Sequence, residues 1–163
     1  MFKSVQSLLI VAMFVCLLIT PANSVTRDEI IDRCMEASQL LVEKGIDTTI
    51  KMIEDKKGRF VWHNKVNYLF LMNLEGRMLA HPFKPQLKKS KTLLDYADVN
   101  GSKFFIDMVK VAQSKNGAGW VKYMWPIPGQ DKPVQKYTFI YRVPNTEYFI
   151  GSGLYVLKPG EYY

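Results

Sequence analysis

The fold of this chain is decided by residues 120–157, which read WVKYMWPIPGQDKPVQKYTFIYRVPNTEYFIGSGLYVL. Apolar and polar side chains alternate in three runs within this stretch, and a period of two predicts β-strands. The predicted strands cover residues 120–125, 136–143 and 148–157. Proline and glycine residues separate the strands, because proline cannot donate to a strand ladder and glycine accommodates tight turns. We therefore expect a three-stranded antiparallel meander.

Upstream of the meander, residues 67–73 and 78–81 also alternate, and the sequence LEGR between them predicts the turn of a β-hairpin. Pro82 ends the second strand of this hairpin. Residues 83–100 then form a long segment without a clear period, and a loop of that length usually has a function or local structure of its own. An amphipathic pattern over residues 102–114 predicts a helix.

The segment 25–57 has the period of a helix, with apolar residues three and four positions apart. Thr26 is a candidate N-cap, and the negative charges of Asp28 and Glu29 suit a helix N-terminus. Gly45 marks a break, after which a second helix begins. The order of elements predicts an α+β fold, in which a long N-terminal helix packs on a five-stranded antiparallel sheet with a central helix.

Residues 1–24 have the layout of a secretory signal peptide. Lys3 supplies a positive start, residues 8–19 are apolar, and Ala22-Asn23-Ser24 provides the small residues that a signal peptidase reads. The apolar run is shorter than the about 20 residues that span a bilayer, and an uncleaved membrane anchor is the alternative. We expect a periplasmic or secreted protein with one domain over residues 25–163.

Charge and cysteine usage exclude several classes of protein. Cys34 is the one cysteine after the predicted signal peptide, and its helical spacing predicts a buried side chain rather than a disulfide. The formal net charge of +7 raises nucleic acid as a partner, but export and scattered lysines argue against it. Gly151-Ser152-Gly153 lies inside a strand pattern, so it predicts close backbone approach or a bulge rather than a nucleophile elbow. We expect no enzyme, no metal site and no cofactor.

Aromatic residues are concentrated on the predicted strands, with a few polar groups among them. Tyr123 and Trp125 share one face of their strand. Large aromatic side chains fill cores, but buried Tyr and Trp also need hydrogen-bond partners, which indicates a polar spot within an apolar chamber. Lys136 and His81 could supply that polar group. The alternatives are a surface lysine at a strand start and a histidine stacked on Pro82.

Five segments resemble, in the same order along the chain, the single Cache family, a PAS-like extracytoplasmic sensor fold. They are YLFLMNLEG at 68–76, MLAHP at 78–82, DVNG at 98–101, GWVKYMWP at 119–126 with KY at 136–137, and YFIGSGLY at 148–155. They look like the family's first hairpin strand and turn, its strand ending in His-Pro, the turn before its central helix, its core strand pair and its closing strand. The likeness covers nearly all of the chain after residue 24.

The resemblance implies a pocket on the sheet face, under the long loop, for small organic molecules and frequently for short carboxylates. The matching pocket positions are Tyr123, Trp125 and Lys136, followed by His81 and Tyr155, and Phe70 joins them as an aromatic wall. We expect Lys136 to hold the carboxylate, with His81 or a tyrosine hydroxyl as a further donor. The aromatic side chains would exclude water around a short tail.

Members of this family usually form the sensing ectodomain of chemoreceptors or histidine kinases. No output domain is expected after Tyr163, so a membrane receptor or kinase would be a separate partner. The alternative is an exported protein-interaction module with a vestigial pocket, and a homodimer through the helix of residues 25–57 fits either function. A chamber filled by its own side chains favours the interaction module, whereas an enclosed cavity with Lys136 pointing inward favours ligand binding.

Overall fold

The computed structural model of the chain describes residues 25–158 and 161–162. The predicted signal peptide, residues 1–24, lies outside the described residues, so its prediction stands as made. Within the described residues, no helix is both long enough and apolar enough to cross a membrane.

Three α-helices and one short 3-10 helix form where the helical patterns occur. They are α1 (Arg27–Lys44), α2 (Ile46–Glu54), a 3-10 helix (Pro85–Lys89) and α3 (Phe104–Gln113). Thr26 caps α1 as predicted, since its hydroxyl accepts the backbone N–H of Glu29 at 3.1 Å. Gly45 separates α1 from α2 with a φ of 79°, a left-handed conformation that glycine adopts without a steric penalty.

The strands are β1 (Val61–Trp62), β2 (Asn67–Asn73), β3 (Met78–Ala80), β4 (Ala118–Pro126), β5 (Pro133–Arg142), β6 (Tyr148–Lys158) and β7 (Glu161–Tyr162). They form one antiparallel sheet with the order β1-β2-β6-β5-β4. Strand β3 pairs with β2, and β7 pairs with β6. The meander β4-β5-β6 predicted from the sequence is therefore present, and the hairpin β2-β3 joins it because β2 pairs with β6.

The α+β fold and its five expected strands are confirmed, and two details need correction. The described residues contain two further strands, β1 and β7, each only two residues long. Two residues cannot display a period of two, so the sequence pattern gave no sign of them. The central helix α3 begins at Phe104 rather than at residue 102, because the preceding residues turn back onto the side chain of Asp98.

The sheet carries a separate hydrophobic cluster on each face. Helices α1 and α2 cover one face, where Cys34 is buried in the cluster. Burial raises the pKa of the Cys34 thiol, which keeps it protonated and unreactive. Helix α3 and residues 83–103, here called the strap, cover the other face. All six predicted site residues belong to strands β2, β4, β5 and β6 or follow β3, and they face the strap.

Candidate functional site

The register of the meander places Lys136 at the centre of the face under the strap. Lys136 on β5 lies directly opposite Tyr123 on β4 and Tyr155 on β6. Directly opposite side chains in antiparallel strands stand on the same face of the sheet. Tyr68 on β2 reaches the Lys136 side chain across β6, because Gly153, the β6 residue beside Tyr68, has no side chain.

Lys136 is buried, with 1% of its surface exposed. Its Nζ lies within hydrogen-bond distance of the hydroxyls of Tyr68, at 3.0 Å, and Tyr155, at 3.2 Å. The same nitrogen lies 4.1 Å from the ring centroid of Tyr68 and 4.6 Å from that of Tyr155. Lys136 takes part in none of the ion pairs formed by the described side chains. A buried lysine without a carboxylate partner is energetically costly, so this arrangement needs an explanation.

The titration of this cluster is set by burial. Burial lowers the pKa of Lys136 well below its usual range, because the interior solvates an ammonium poorly. Burial raises the pKa of Tyr68 to about 12. Burial raises the pKa of Tyr123 and Tyr155 as well, and the neighbouring Tyr68 adds to both shifts. The three phenols are therefore protonated at neutral pH and offer no negative charge to Lys136.

The remaining polar atoms of the cluster are paired with one another. The indole N–H of Trp125 donates to the hydroxyl of Tyr68 at 3.0 Å, and the hydroxyls of Tyr68 and Tyr155 are 3.3 Å apart. Tyr155 donates its hydroxyl proton to the carbonyl oxygen of Pro126 at 3.1 Å. These contacts fix the orientation of the aromatic rings around the Lys136 nitrogen.

His81 follows β3 and is oriented by the backbone after it. Its Nδ1 accepts the backbone N–H groups of Phe83 and Lys84, each at 3.1 Å. Since Nδ1 is an acceptor, the ring proton of the neutral imidazole resides on Nε2. Burial lowers the pKa of His81 well below 6.5, and any positive charge on Lys136 or Lys84 lowers it further. His81 is thus a neutral donor through Nε2, and it lies 4.9 Å from Tyr68 between ring centroids.

A small cavity lies between these rings. It is lined by Tyr68, Phe70, Met78, His81, Leu87, Phe104, Phe105, Tyr123 and Trp125. Its volume is about 10 Å³, which is room for about one water molecule. Helix α3 contributes much of the filling, because the ring of Phe104 stacks on that of Tyr123 with centroids 4.0 Å apart. The chamber predicted from the sequence exists, but its own side chains nearly fill it.

The two glycines of β6 make the site possible. A Cβ atom at Gly151 would lie 2.1 Å from Cζ of Phe70, so the Phe70 ring occupies the space over this glycine. A Cβ atom at Gly153 would lie 2.3 Å from the carbonyl oxygen of Tyr137 and 3.0 Å from Cε of Lys136. The predicted close approach at both glycines is confirmed, and it lets the Lys136 side chain lie across the sheet.

The strap is tied to the edge strand β4 by Asp98. The carboxylate of Asp98 accepts the backbone N–H of Met124 at 2.8 Å, and those of Asn100 and Ser102 at 2.9 and 3.0 Å. Partial burial alone would raise the pKa of Asp98, but the three N–H donors outweigh it and lower the pKa. Tyr96 extends the strap over the cavity, with its ring 6.0 Å from Trp125 between centroids.

The structure brings the six predicted site residues together. Phe70, His81, Tyr123 and Trp125 line the cavity, and Lys136 with Tyr155 lies behind Tyr68. Their role in ligand binding stays a prediction. Sequence reasoning left Tyr68 out of the site, although Tyr68 joins Lys136, Trp125 and Tyr155. Its position two residues from Phe70, on the same strand face, was the available signal. Nothing in the local pattern identified the cavity walls from α3.

Comparisons with known proteins point to one family. The family model for the Cache domain matches residues 34–158. Over 90 residues the chain is 36% identical to the methyl-accepting chemotaxis protein McpP of Pseudomonas putida, a match that covers 55% of this chain and 16% of that protein. This chain therefore corresponds to a small part of that relative's length.

Two solved structures share the fold over most of their length. A Cache chemosensory domain described for its carboxylic acid recognition has a TM-score of 0.67 and 25% identity, covering 79% of this chain and 92% of that chain. The periplasmic sensor domain of a chemotaxis protein has a TM-score of 0.63 and 26% identity, covering 79% of this chain and 89% of that chain. With a family model that matches residues 34–158, the chain belongs to the Cache domain family and is related to the sensor domains of chemotaxis proteins.

Proposed function

We propose that this protein is an exported sensor domain that binds a short monocarboxylate in the cavity under the strap. The observation that carries the proposal is Lys136, a buried lysine with no anion beside it among the described side chains. A bound carboxylate would supply the missing negative charge. The carboxylic acid recognition of the related Cache chemosensory domain supports the same ligand class.

Two donors of the site suit the two oxygens of a carboxylate. The Nζ of Lys136 would donate a charge-assisted hydrogen bond, the kind that contributes about 1.5–3 kcal/mol net. The Nε2–H of His81 would donate a second hydrogen bond, since Nδ1 is already engaged by the backbone. The apolar tail of the ligand would lie against Phe70, Phe104 and Trp125, which line the cavity.

The size of the cavity makes binding dependent on a movement of the side chains around it. A volume of about 10 Å³ does not hold two carbon atoms and a carboxylate, so at least one ring must move outward. Tyr96 packs against three of the lining rings, those of Phe104, Phe105 and Trp125, and it is free to move because 42% of its surface is exposed. We therefore expect the ligand to enter beneath the strap, by displacement of Tyr96 and of the α3 rings that it contacts.

The same geometry predicts selectivity for monocarboxylates. Apart from His81, the cavity wall is aromatic or aliphatic, and the polar groups of its Tyr68, Tyr123 and Trp125 are already paired. With Lys136 behind Tyr68 and His81 both used by the first carboxylate, a second carboxylate would be buried without a partner. A short dicarboxylate such as succinate should therefore bind much more weakly than propionate.

Isothermal titration with propionate tests the proposal. Wild-type protein should bind propionate, and Lys136→Met should weaken the affinity by tenfold or more. Lys122→Met is the matched control, because Lys122 is exposed on the neighbouring strand β4 and is expected to leave the affinity unchanged. Equal affinities of wild type and Lys136→Met would remove the lysine from the site. No binding of any short monocarboxylate by the wild type would refute the function.

The nearly filled cavity favours a second candidate function, that of an exported protein-interaction module. Helix α1 carries two exposed apolar side chains one above the other, Met35 with 47% and Val42 with 65% of its surface exposed. They line a groove between α1 and the turn at Pro144 and Asn145. A homodimer through this face predicts that sedimentation equilibrium gives a concentration-dependent mass and that Val42→Glu abolishes it.

A further inference from the structure

We propose that the carboxylate binds together with one proton from solvent, which Lys136 accepts as the ligand enters. This inference rests on the proposed function and specifies the chemical form of its ligand: a weak monocarboxylic acid taken up as carboxylate plus proton. In the ligand-free site Lys136 is a neutral amine. In the complex it is an ammonium paired with the carboxylate.

Among the described side chains, the groups around Lys136 carry no negative charge that would hold an ammonium. Strands β2, β4 and β6 each contribute a phenol, namely Tyr68, Tyr123 and Tyr155. The segment after β3 contributes the neutral imidazole of His81, which lies near the cation Lys84. Every titratable group facing Lys136 from these elements is therefore neutral or positive at neutral pH.

Helix α3 and the strap add no negative charge to the site either. The part of α3 that faces the cavity is the aromatic pair Phe104 and Phe105. The acidic residue of α3, Asp107, is exposed and pairs with Lys110 at 3.5 Å. The two aspartates of the strap are engaged elsewhere, Asp95 with Lys103 at the surface and Asp98 with the backbone of β4. An ammonium at Lys136 would thus be buried without compensation.

The hydrogen bonds of both tyrosine hydroxyls are satisfied when Lys136 is an amine. The lone pair of Nζ can accept the hydroxyl proton of Tyr68, 3.0 Å away, while Tyr68 receives the indole N–H of Trp125. One N–H of the amine then donates to Tyr155 at 3.2 Å, and Tyr155 donates onward to the carbonyl oxygen of Pro126. Each hydroxyl in this chain then donates once and accepts once, and one N–H of the amine is left over; an ammonium would leave one N–H over as well, with a buried charge in addition. The depressed pKa of Lys136 agrees with this form.

Entry of the ligand makes the ammonium form of Lys136 more stable than the amine. A carboxylate beside Nζ stabilises the ammonium, because opposite charges attract strongly in the dry interior. One proton is bound to the lone pair of Nζ for each carboxylate that enters, so the site and its ligand remain neutral together. The outcome is the same when the acid enters in its protonated form and transfers its O–H proton to Nζ. No covalent bond other than N–H and O–H changes.

The pH dependence of the affinity follows from the linkage between carboxylate binding and proton uptake. Above the pKa of the free amine, binding requires proton uptake, so the affinity falls by up to tenfold for each further pH unit. Below that pKa the amine is already protonated, and uptake disappears. Affinity should therefore be highest on the acidic side of the free amine's pKa and weaken as the solution becomes alkaline.

Calorimetry in two buffers measures the proton directly. Sodium propionate is titrated into wild-type protein in two buffers of different ionisation enthalpy at each pH, Tris and borate at about pH 9 and MES and Bis-Tris at about pH 6. At about pH 9 the difference between the buffers should correspond to about one proton taken up per propionate bound, and the uptake should be smaller at about pH 6. Lys122→Met should give the same uptake as the wild type.

The outcomes separate the two proposals. Propionate binding with the same heat in both buffers, at both pH values, would overturn the proton linkage and leave carboxylate binding intact. Absence of propionate binding would overturn both. Lys136→Arg provides an independent check, since guanidinium stays charged: if this variant binds propionate, it should do so without proton uptake. Undiminished uptake in Lys136→Arg would place the proton elsewhere and refute the inference.

Discussion

Replacing Lys136 with Met should make the ligand-free protein more stable, even though it removes two hydrogen bonds. Met keeps the unbranched apolar stem, so the packing against the ring faces of Tyr68 and Tyr155 is retained. Neither hydroxyl is left without a partner. Tyr68 still accepts the N–H of Trp125 and can donate to the hydroxyl of Tyr155, 3.3 Å away, while Tyr155 still donates to the carbonyl oxygen of Pro126.

The magnitude follows from the cost of burying the amine. In the unfolded chain Lys136 is protonated up to a pH near 10.5, whereas in the folded chain its pKa is well below that value. The unfolded state therefore binds more protons between the two pKa values, and wild-type stability rises with pH there, by at most about 1.4 kcal/mol per pH unit. At neutral pH we expect Lys136→Met to gain about 1–3 kcal/mol in the free energy of unfolding.

Urea unfolding, followed by circular dichroism at about pH 7 and about pH 9, measures this gain. The difference between Lys136→Met and wild type should shrink as the pH rises, because the wild type recovers the cost of deprotonation. Lys122→Met should stay within about 0.5 kcal/mol of the wild type at both pH values, as an exposed substitution does. A Lys136→Met variant that is less stable than the wild type at neutral pH, or a difference that does not shrink, would refute the reasoning.

Three further variants test contacts that stabilise the fold and the site. Asp98→Ala should destabilise the protein by about 1–2 kcal/mol in thermal unfolding, since the backbone N–H of Met124 and two others lose their acceptor. Because the folded pKa of Asp98 is depressed, the wild type should lose this contribution as the pH falls through that pKa, while Asp98→Ala should not. Gly151→Ala should cost about 1–3 kcal/mol in urea unfolding, because the new methyl group would displace the Phe70 ring; unchanged stability would contradict the close approach of Phe70 to this glycine. Thr26→Ala should lower stability by about 1 kcal/mol through loss of the N-cap, and Thr26→Ser should restore it.

The sequence predicted the elements of the fold well because their periods are strong. The alternation in residues 120–157 carries the meander, and the glycine at position 45 interrupts a clear helical pattern. The same alternation places Lys136 and Thr138 on one face of β5 and Phe139 on the other. Strands β1 and β7 were missed because two residues hold no periodic information.

The geometry of the site could not be predicted in the same way. Lys136 meets Tyr68 across an intervening strand, and this depends on the register of both β2 and β5 against β6. The six residues between β4 and β5 do not specify a register by themselves. The cavity volume depends on ring rotamers contributed by α3, which no strand pattern encodes. The contact of Asp98 with Met124 likewise joins segments that are far apart in the chain, and a local sequence pattern does not predict such a contact.

The central claim is that Lys136 binds the carboxylate of a short monocarboxylate. Thermal unfolding of wild type and Lys136→Met with increasing propionate tests it most directly. At about a hundred times its dissociation constant, the ligand should stabilise the wild type by about 2.7 kcal/mol, a rise in Tm of about 8–13 °C for a domain of this size. The account predicts this rise in the wild type and in Lys122→Met, and at most about half of it in Lys136→Met at the same concentration, because a tenfold weaker affinity leaves about 1.4 kcal/mol of stabilisation. An equal rise in Lys136→Met, or no rise in the wild type with any short monocarboxylate, would contradict it.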